Sequence, residues 1–483
     1  MNNKTVNSVS WYTLDVLINR GSYFLITMYI AKMIGPEEFG LASILSIIYY
    51  LGLALSDSGM SNSLLRTKIC DDVDYSTVLI TNLVFGFFVY GILCIGAPLI
   101  SSFFSNVKLV SLVPVYSLGI LLASFKSVYI AFMMKHFEYR KMFFINLPGN
   151  LISIILSIAL SNNGFGIWSI VCLFLSNQLI SFILLFLYSG WRTKINVSWL
   201  KFKYHFNFGY KLSISAFINT VFENIYQLII GRYYSIRMTG IYDRAYTLGN
   251  YPISILSTVI SKVTLPEFAN NIDDPLALRN KFRISIMAVS LISSLVTFSI
   301  LTIVPYLIRN FMGIAWSESI PIFKILCLGL FFYPIHAMNL NVLNIYGRSD
   351  IFLALEIIKK FVQIGAIMAF YSFGMNGLAY SFVVLSFVSF FTNTYYTQKY
   401  IGYTIYRQGL DIVLNLLVGI VAYLISASIF LLLGLSFPIL LLQLFIFLLL
   451  FIVGSYNINK IIYVFIWKLI KNNLHRFLRF EKK

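Results

Sequence analysis

Apolar stretches of about 20 residues, separated by short polar segments, run along almost the whole chain. This length suits a helix that crosses a bilayer, whereas a strand of a membrane barrel needs only about 9–11 residues. We therefore expect an all-α polytopic membrane protein. Fourteen spans fit the pattern best, at 9–33, 40–61, 76–103, 108–133, 143–161, 164–189, 207–233, 240–263, 283–309, 318–342, 350–371, 375–398, 410–433 and 436–455. An even number of spans predicts both termini on one side of the membrane.

The order of the spans contains an internal repeat. IGRYYSIRMTGIYDR, from Ile230, matches IAKMIGPEEFGLASI, from Ile30, at a shift of 200 positions, which places Gly240 on Gly40. Two further weak matches follow in order, at shifts near 207 and 211. Residues 205–400 are therefore predicted to repeat the fold of residues 1–190. Two like halves in one membrane protein are typical of a transporter with its site between them.

These features predict five parts of the chain, and two of the parts lie outside the predicted spans. The segment 191–206 alternates aromatic and basic side chains, which suits a cytoplasmic amphipathic linker on the membrane surface or a plain tether. The tail 456–483 reads as a basic amphipathic helix on anionic lipid, or alternatively as a poorly ordered end. The parts are an N-terminal six-helix bundle (1–190), the linker (191–206), a C-terminal six-helix bundle (207–400), transmembrane helices 13 and 14 (401–455) and the tail (456–483).

Composition supports the membrane assignment and explains the strong positive charge. Hydrophobic residues make up 59% of the chain, charged residues 11%, and mean hydropathy is +0.83, which excludes an ordinary soluble domain. The net charge of +18 could indicate nucleic acid. However, most Lys and Arg fall in the N-terminus, the even-numbered loops and the tail. This asymmetry follows the positive-inside rule, so we expect cytoplasmic termini and no nucleic-acid partner.

Basic side chains inside the spans are candidates for substrate binding. A charge at the centre of a bilayer costs at least about 2.5–3.5 kcal/mol, so it is usually retained for function or paired. Snorkelling could also explain Lys126, and pairing with another helix could explain Arg20. Basic residues outnumber acidic ones there, which predicts a cationic cavity for an anionic substrate. The predicted cavity residues are Arg20, Lys126, Lys359, Lys360, Arg244 and Asn224.

Acidic side chains inside the spans are candidates for ion coupling. A carboxyl group that burial keeps partly protonated can exchange a proton near neutral pH. Glu223 is the strongest candidate, and Asp15 and Glu356 are the others. A partner helix could instead neutralise Glu223, for example through Arg20 or Lys360. Proton coupling, sodium coupling and no coupling all remain open at this point.

The sequence offers no support for catalysis. It contains no HExxH, GxSxG or P-loop motif and no Asp-rich metal motif, so neither catalytic residues, nor a metal site, nor a cofactor is predicted. The four cysteines lack CxxC spacing and read as small core residues. His336 follows Pro334 by two positions, where a histidine can satisfy a carbonyl that a proline kink has freed.

Two stretches carry a resemblance to a known family. IAKMIGPEEFGLASILSIIYYLGLALSDSGMSNSLLR (30–66) resembles the first hairpin of polysaccharide flippases of the Wzx type, which share a superfamily with lipid II flippases and MATE drug exporters. LIIGRYYSIRMTGIYDRAYTLGNYPISILSTVISKVTLPEFAN (228–270) is similar to the family's seventh and eighth helices. Relatives often carry an acidic residue where this chain has Tyr226, so the assignment of Glu223 comes from this sequence alone.

The resemblance implies two six-helix bundles that face each other across a central cavity, with helices 13 and 14 appended. It implies a flippase in the bacterial cytoplasmic (inner) membrane. Such a protein carries undecaprenyl-diphosphate-linked oligosaccharide units of O-antigen, capsule or exopolysaccharide to the outer leaflet by alternating access. Expected partners are that substrate, membrane lipid, and the polysaccharide polymerase and chain-length machinery. The alternatives are a MATE-like cation-coupled exporter and a membrane polysaccharide polymerase or ligase, although the short odd-numbered loops leave little room for catalysis.

Overall fold

The computed structural model describes residues 3–192, 196–433, 436–460 and 462–463. Within these ranges the chain is almost entirely helical and contains no strand. The described residues form two compact units. Unit 1 runs to Asp243 and adds 311–315, and unit 2 holds the described remainder from Arg244.

Eight helices lie wholly within unit 1. They are α1 (Asn3–Ser56), α2 (Met60–Arg66), α3 (Asp72–Phe104), α4 (Lys108–Lys135), α5 (Tyr139–Asn162), α6 (Ile167–Tyr188), α7 (Trp199–Glu223) and α8 (Ile225–Tyr233). Within this unit α3 packs on α4 and α5 packs on α6, while α1 contacts α4, α5 and α6. The N-terminal half of α7 packs against α1, α2 and α3.

The remaining helices lie wholly or mainly in unit 2. They are α9 (Ile236–Ala269), which begins in unit 1, α10 (Pro275–Leu307), α11 (Ser319–Leu330), α12 (Tyr333–Ile345), α13 (Ser349–Phe370), α14 (Gly374–Ile401), α15 (Ile405–Leu433) and α16 (Phe437–Ile458). Short π or 3₁₀ turns occupy Ile308–Met312, Ile314–Trp316 and Tyr371–Phe373. In unit 2, α13 packs on α14, and α15 lies between α10 and α16.

Each of the fourteen predicted spans falls on one or two of these helices. Nine helical segments of the described chain are long and apolar enough to cross a membrane, so the prediction of an all-α multi-pass membrane protein is confirmed. The exact count of fourteen stays a prediction. Predicted spans 7, 8, 11 and 12 do not reach that length and hydropathy, in part because they carry polar and charged side chains.

Breaks interrupt three spans that the hydrophobic pattern predicts as continuous. The second span ends at Ser56 and turns through Ser58 and Gly59, which have φ angles of 49° and 65°, before α2 begins. The seventh span breaks at Asn224, between α7 and α8. The tenth span breaks just before Pro334, in the first turn of α12, because proline cannot donate the backbone bond that an unbroken helix needs there. Conversely, α1 joins the first two spans through a kink at Gly35.

Asp274 caps α10, since its side chain accepts hydrogen bonds from the backbone N–H groups of Leu276 and Ala277. The predicted domain bounds and the cytoplasmic position of the termini stay predictions. Residues 193–195 of the predicted linker and 464–483 of the predicted tail lie outside the described residues.

Candidate functional site

A groove of about 480 Å³ lies in unit 1 between the end of α1, the start of α2 and the C-terminal half of α7. We call it the α1–α7 groove. Its volume is within the range of about 300–1,000 Å³ that is typical of small-molecule sites. Its lining residues are Tyr50, Leu53, Ala54, Asp57, Gly59, Asn62, Leu212, Ser213, Ala216, Thr220, Glu223 and Asn224.

A close backbone crossing forms one end of this groove. A Cβ atom on Gly59 would overlap the carbonyl oxygen of Gly209, and a Cβ on Gly209 would overlap that of Ser58. Only glycine lets two backbones approach so closely. The Ser213 hydroxyl also donates a hydrogen bond to the carbonyl of Ala54, one turn beyond the crossing. Helix α7 is therefore fixed against α1 and α2 at this point.

Asp57 is held in the groove wall by hydrogen bonds from two helices. The Ser61 hydroxyl and the Asn82 amide (3.0 Å) both donate to its Oδ1 atom. Asn82 also donates to the Ser127 hydroxyl at 3.1 Å, which extends the network from α3 to α4. These bonds orient the carboxylate within the groove wall.

The break in the seventh span places Glu223 and Asn224 along the same groove. The Asn224 amide donates to the carbonyl of Thr220 at 2.8 Å, which fixes the end of α7. The structure thus brings together one predicted coupling residue and one predicted substrate-binding residue. Asp57 joins them from the turn that follows α1.

The predicted basic residues lie on other helices. Lys126, on α4, is largely buried, and it makes no hydrogen bond or ion pair with another residue that the structure describes. Arg244 is buried on α9 with 6% of its surface exposed. The side chain of Arg20 lies outside the described part of the structure.

The cluster on α13 forms as its spacing suggests. Lys359 donates to Glu356 Oε1 at 2.8 Å, an i, i+3 ion pair in which 14% of the Lys359 side chain is exposed. Lys360 also interacts within the structure. Glu356, predicted for ion coupling, is thus partly neutralised by Lys359.

Asp15 is the first member of a chain of amide contacts between α1 and α5. It accepts hydrogen bonds from Asn19 at 2.7 Å and from Asn146 at 3.4 Å. Asn150 continues the chain by donating to Asn19 at 3.1 Å and to Ser22 at 2.6 Å. These contacts hold α1 and α5 together.

Sequence reasoning missed a polar network in unit 2. Asp411, on α15, accepts hydrogen bonds from Arg283 Nε at 2.8 Å, from Arg283 Nη2 at 3.0 Å and from the Tyr403 hydroxyl at 2.6 Å. One turn further along α15, Asn415 donates to Ser290 at 2.7 Å and accepts from Asn459 at 2.6 Å. The i, i+4 spacing of Asp411 and Asn415 in an apolar span was the signal for this network.

A second missed cluster joins the start of α7 to α2 and α3. The buried Asp74 accepts from Lys201 at 2.9 Å and pairs with His205 at 3.1 Å. The other His205 nitrogen bonds the Ser63 hydroxyl at 2.8 Å. The hydrogen bond to Asp74 raises the pKa of Lys201 above its ordinary value, whereas burial lowers the pKa of His205.

His336 is linked to a backbone carbonyl through the hydroxyl group of Ser386. Its Nε2 atom lies 3.1 Å from the Ser386 hydroxyl, which donates to the carbonyl of Gly329 at 2.8 Å. Among the described residues, no group of three or more His, Cys, Asp or Glu side chains could hold a metal ion.

The sequence of the chain is similar to those of known proteins. A family model described as "Polysaccharide biosynthesis protein" matches residues 29–321. The chain is 23% identical over 412 residues to the lipopolysaccharide biosynthesis protein WzxC of Escherichia coli K12, which covers 84% of this chain and 83% of WzxC. It is also 23% identical over 301 residues to the teichuronic acid biosynthesis protein TuaB of Bacillus subtilis 168, covering 61% of this chain and 62% of TuaB.

Solved structures show the same fold. The lipid II flippase MurJ, in an inward closed conformation, superposes with a TM-score of 0.75 at 15% identity, over 93% of this chain and 98% of MurJ. An inward-facing multidrug resistance MATE family transporter of the MOP superfamily gives a TM-score of 0.58 at 15% identity, over 81% and 98%. At these identities the likeness shows the fold. The resemblance to Wzx-type flippases that the sequence carries is confirmed.

Proposed function

Because the chain belongs to the polysaccharide biosynthesis protein family, we propose that it is a flippase for lipid-linked oligosaccharides. Its substrate would be a repeat unit of O-antigen, capsule or exopolysaccharide carried on undecaprenyl diphosphate. It would move this unit from the cytoplasmic to the outer leaflet by alternating access, without chemical conversion.

The observation that carries this proposal is the family match over 29–321 together with the fold of a lipid II flippase over 93% of the chain. WzxC, at 23% identity, is named for lipopolysaccharide biosynthesis, and TuaB for teichuronic acid biosynthesis. Both products are surface polysaccharides. A lipid carrier for a growing saccharide is the chemistry shared by lipid II and such precursors.

Basic side chains would bind the diphosphate. Lys126 supports this role best, because a buried ammonium group without a hydrogen bond or ion pair among the described residues gains most from an anionic ligand. Lys359 has its own carboxylate partner, Glu356, so it contributes less net charge. The basic residues proposed here for the diphosphate are Arg20, Lys126, Lys359, Lys360 and Arg244. Asn224 is proposed as a polar contact for another part of the substrate.

Carboxyl groups would couple the cycle to an ion gradient. Glu223 lines the α1–α7 groove, Asp15 accepts hydrogen bonds from two amides, and Glu356 pairs with Lys359. We propose protons or sodium as the coupling ion and no resident cofactor. We further propose that the protein lies in the bacterial cytoplasmic membrane with both termini in the cytoplasm, and that it delivers substrate to the polymerase and chain-length machinery.

The test is a deletion strain with its surface polysaccharide and its lipid-linked precursors measured together. The proposal predicts loss of surface polysaccharide and accumulation of single repeat units on the lipid carrier, confined to the cytoplasmic leaflet. Complementation with the intact gene should restore display. Normal display combined with new sensitivity to cationic drugs would instead support an exporter, and would overturn the proposal.

A further inference from the structure

The lining of the α1–α7 groove differs in charge from the cationic site proposed for the diphosphate. It contains two carboxylates, Asp57 and Glu223, and no Lys, Arg or His among the described residues that form it. A diphosphate gains no favourable contact from these two side chains, and the lining contains no basic side chain to bind it. The groove is therefore unsuited to the anionic part of the substrate.

The same lining suits a ligand rich in hydroxyl groups. Hydrogen bonds from hydroxyls to ionised carboxylates are shorter and stronger than neutral ones. The side-chain amides of Asn62 and Asn224 can both donate and accept. The hydroxyl of Thr220 donates to the carbonyl of Ala216, and its oxygen can accept from a ligand. Asn62 is exposed and makes no hydrogen bond with another described residue, so its amide is available to a ligand.

An aromatic ring and apolar side chains complete the lining. Tyr50 is 54% exposed, and Leu53 of α1 and Leu212 of α7 line the same groove. An aromatic face beside polar groups binds molecules that have both an apolar ring face and a polar edge. A sugar ring has both. The lining runs from Leu212 to Asn224 along α7, about 18 Å at the helical rise, which exceeds the length of one sugar ring.

We propose that the α1–α7 groove binds an uncharged, hydroxyl-rich saccharide portion of the lipid-linked substrate, apart from its diphosphate. This inference rests on the flippase function proposed above and assigns a role to Asp57, Asn62 and Thr220. It is compatible with proton coupling at Glu223, since a protonated carboxyl group both donates and accepts hydrogen bonds.

The test measures binding to the purified full-length protein in lipid nanodiscs. The probe is the oligosaccharide released by mild acid from the strain's lipid-linked precursor, with inorganic pyrophosphate and sodium chloride as separate ligands. The variants are Asn62→Ala and Thr220→Val, because neither side chain holds the fold as Asp57 does. Asn457→Ala and Thr258→Val are matched controls, because both residues are exposed and lie outside the groove. The hydroxyl of Thr258, like that of Thr220, donates a hydrogen bond to the backbone carbonyl four residues earlier.

The proposal predicts that each groove variant raises the dissociation constant of the oligosaccharide about tenfold, as expected when a hydrogen bond to a ligand is lost. The controls and the affinity for pyrophosphate should not change. Asp57→Asn, which keeps an acceptor oxygen, should retain more oligosaccharide affinity than Asp57→Ala.

Three results would overturn the proposal. They are unchanged oligosaccharide binding in the groove variants, loss of pyrophosphate binding in those variants, and binding of sodium alone that Asp57→Asn abolishes. The deletion strain separates this inference from the proposed function. If precursor accumulates in the deletion strain but the groove variants bind oligosaccharide normally, the proposed saccharide site is wrong and the proposed flippase function still stands.

Discussion

Ser43 donates a hydrogen bond of 3.3 Å to Asp243, and the two residues are 200 positions apart, the shift that relates the two repeats. Gly40 approaches Ile236, while Gly240 approaches Pro36. The two glycine contacts are related by the same shift of 200. Adding 200 to Gly40 gives Gly240, and subtracting 200 from Ile236 gives Pro36, so each contact repeats the other with the two repeats exchanged. Such reciprocity is the pattern expected where two like elements meet on a twofold axis. The internal repeat is thus visible as a contact within unit 1.

Alanine at Gly40 or Gly240 should damage this crossing. A Cβ atom on Gly40 would overlap the carbonyl oxygen of Ile236, and one on Gly240 would overlap that of Pro36. We expect each variant to lower the melting temperature of the purified protein and to reduce surface polysaccharide. Gly91→Ala is the control, since a Cβ there meets open space and alanine in a helix is favoured over glycine by about 0.5–1 kcal/mol. Equal behaviour of all three variants would contradict the close approach.

Loss of the Asp411 carboxylate should destabilise unit 2. Asp411→Ala leaves the buried Tyr403 hydroxyl without its acceptor and removes the ion pair with Arg283, whose side chain is half exposed. A buried hydrogen bond to a charged group contributes about 1.5–3 kcal/mol. Thermal unfolding in detergent should show a clear fall in melting temperature. Asp350→Ala removes a similar two-bond pair with Arg348 at the surface, where both side chains are exposed, and should change little. A fall of the same size in both variants would show that burial does not strengthen the Asp411 network.

The stability of the protein should depend on pH through His205, which precedes the seventh predicted span. Burial lowers its pKa below the ordinary value of 6.5, while Asp74, Lys201 and Lys135 are the charged groups that act on it. The unfolded chain therefore takes up a proton first as pH falls, so stability present above about pH 6.5 is lost below it, by up to about 1.4 kcal/mol per pH unit. Melting temperatures measured from pH 7.5 downward should fall less steeply in His205→Gln. An unchanged slope would exclude His205 as the titrating group.

The sequence predicted the helical elements better than their breaks and contacts. Hydrophobic runs locate the membrane spans because a helix that crosses a bilayer needs about 20 apolar residues. The i, i+3 spacing of Glu356 and Lys359 is likewise a local feature, which a helix brings into contact. The break at Asn224 could not be read from composition, since it depends on how α7 meets its neighbours. The Arg283–Asp411 pair joins residues 128 positions apart, and no local spacing reports such a contact.

The candidate groove illustrates the same limit. Glu223 and Asn224 stood out because they are polar residues in an apolar span. Their meeting with Asp57 depends on the glycine crossing at Gly59 and Gly209, which are 150 positions apart. A single sequence shows the two glycines but not that their backbones touch.

Neutralising Lys126 should impair transport without preventing insertion. Lys126→Gln removes a buried charge that we assign to the diphosphate, and loss of such a bond, about 1.5–3 kcal/mol, corresponds to about a ten- to hundredfold loss of affinity. Surface polysaccharide should fall while membrane-inserted protein stays at the wild-type level. Lys108→Gln on the same helix is the control, because Lys108 is exposed and pairs with Glu38. Full display with Lys126→Gln would remove Lys126 from the substrate site.

Reconstitution tests the central claim most directly. The purified protein is placed in liposomes whose outer leaflet carries the strain's lipid-linked oligosaccharide, and the fraction that becomes inaccessible to an added glycosidase is followed over time. We expect protein-dependent movement to the inner leaflet, slowed by Lys126→Gln and absent from protein-free liposomes. No movement by folded protein, with or without a proton or sodium gradient, would contradict the account.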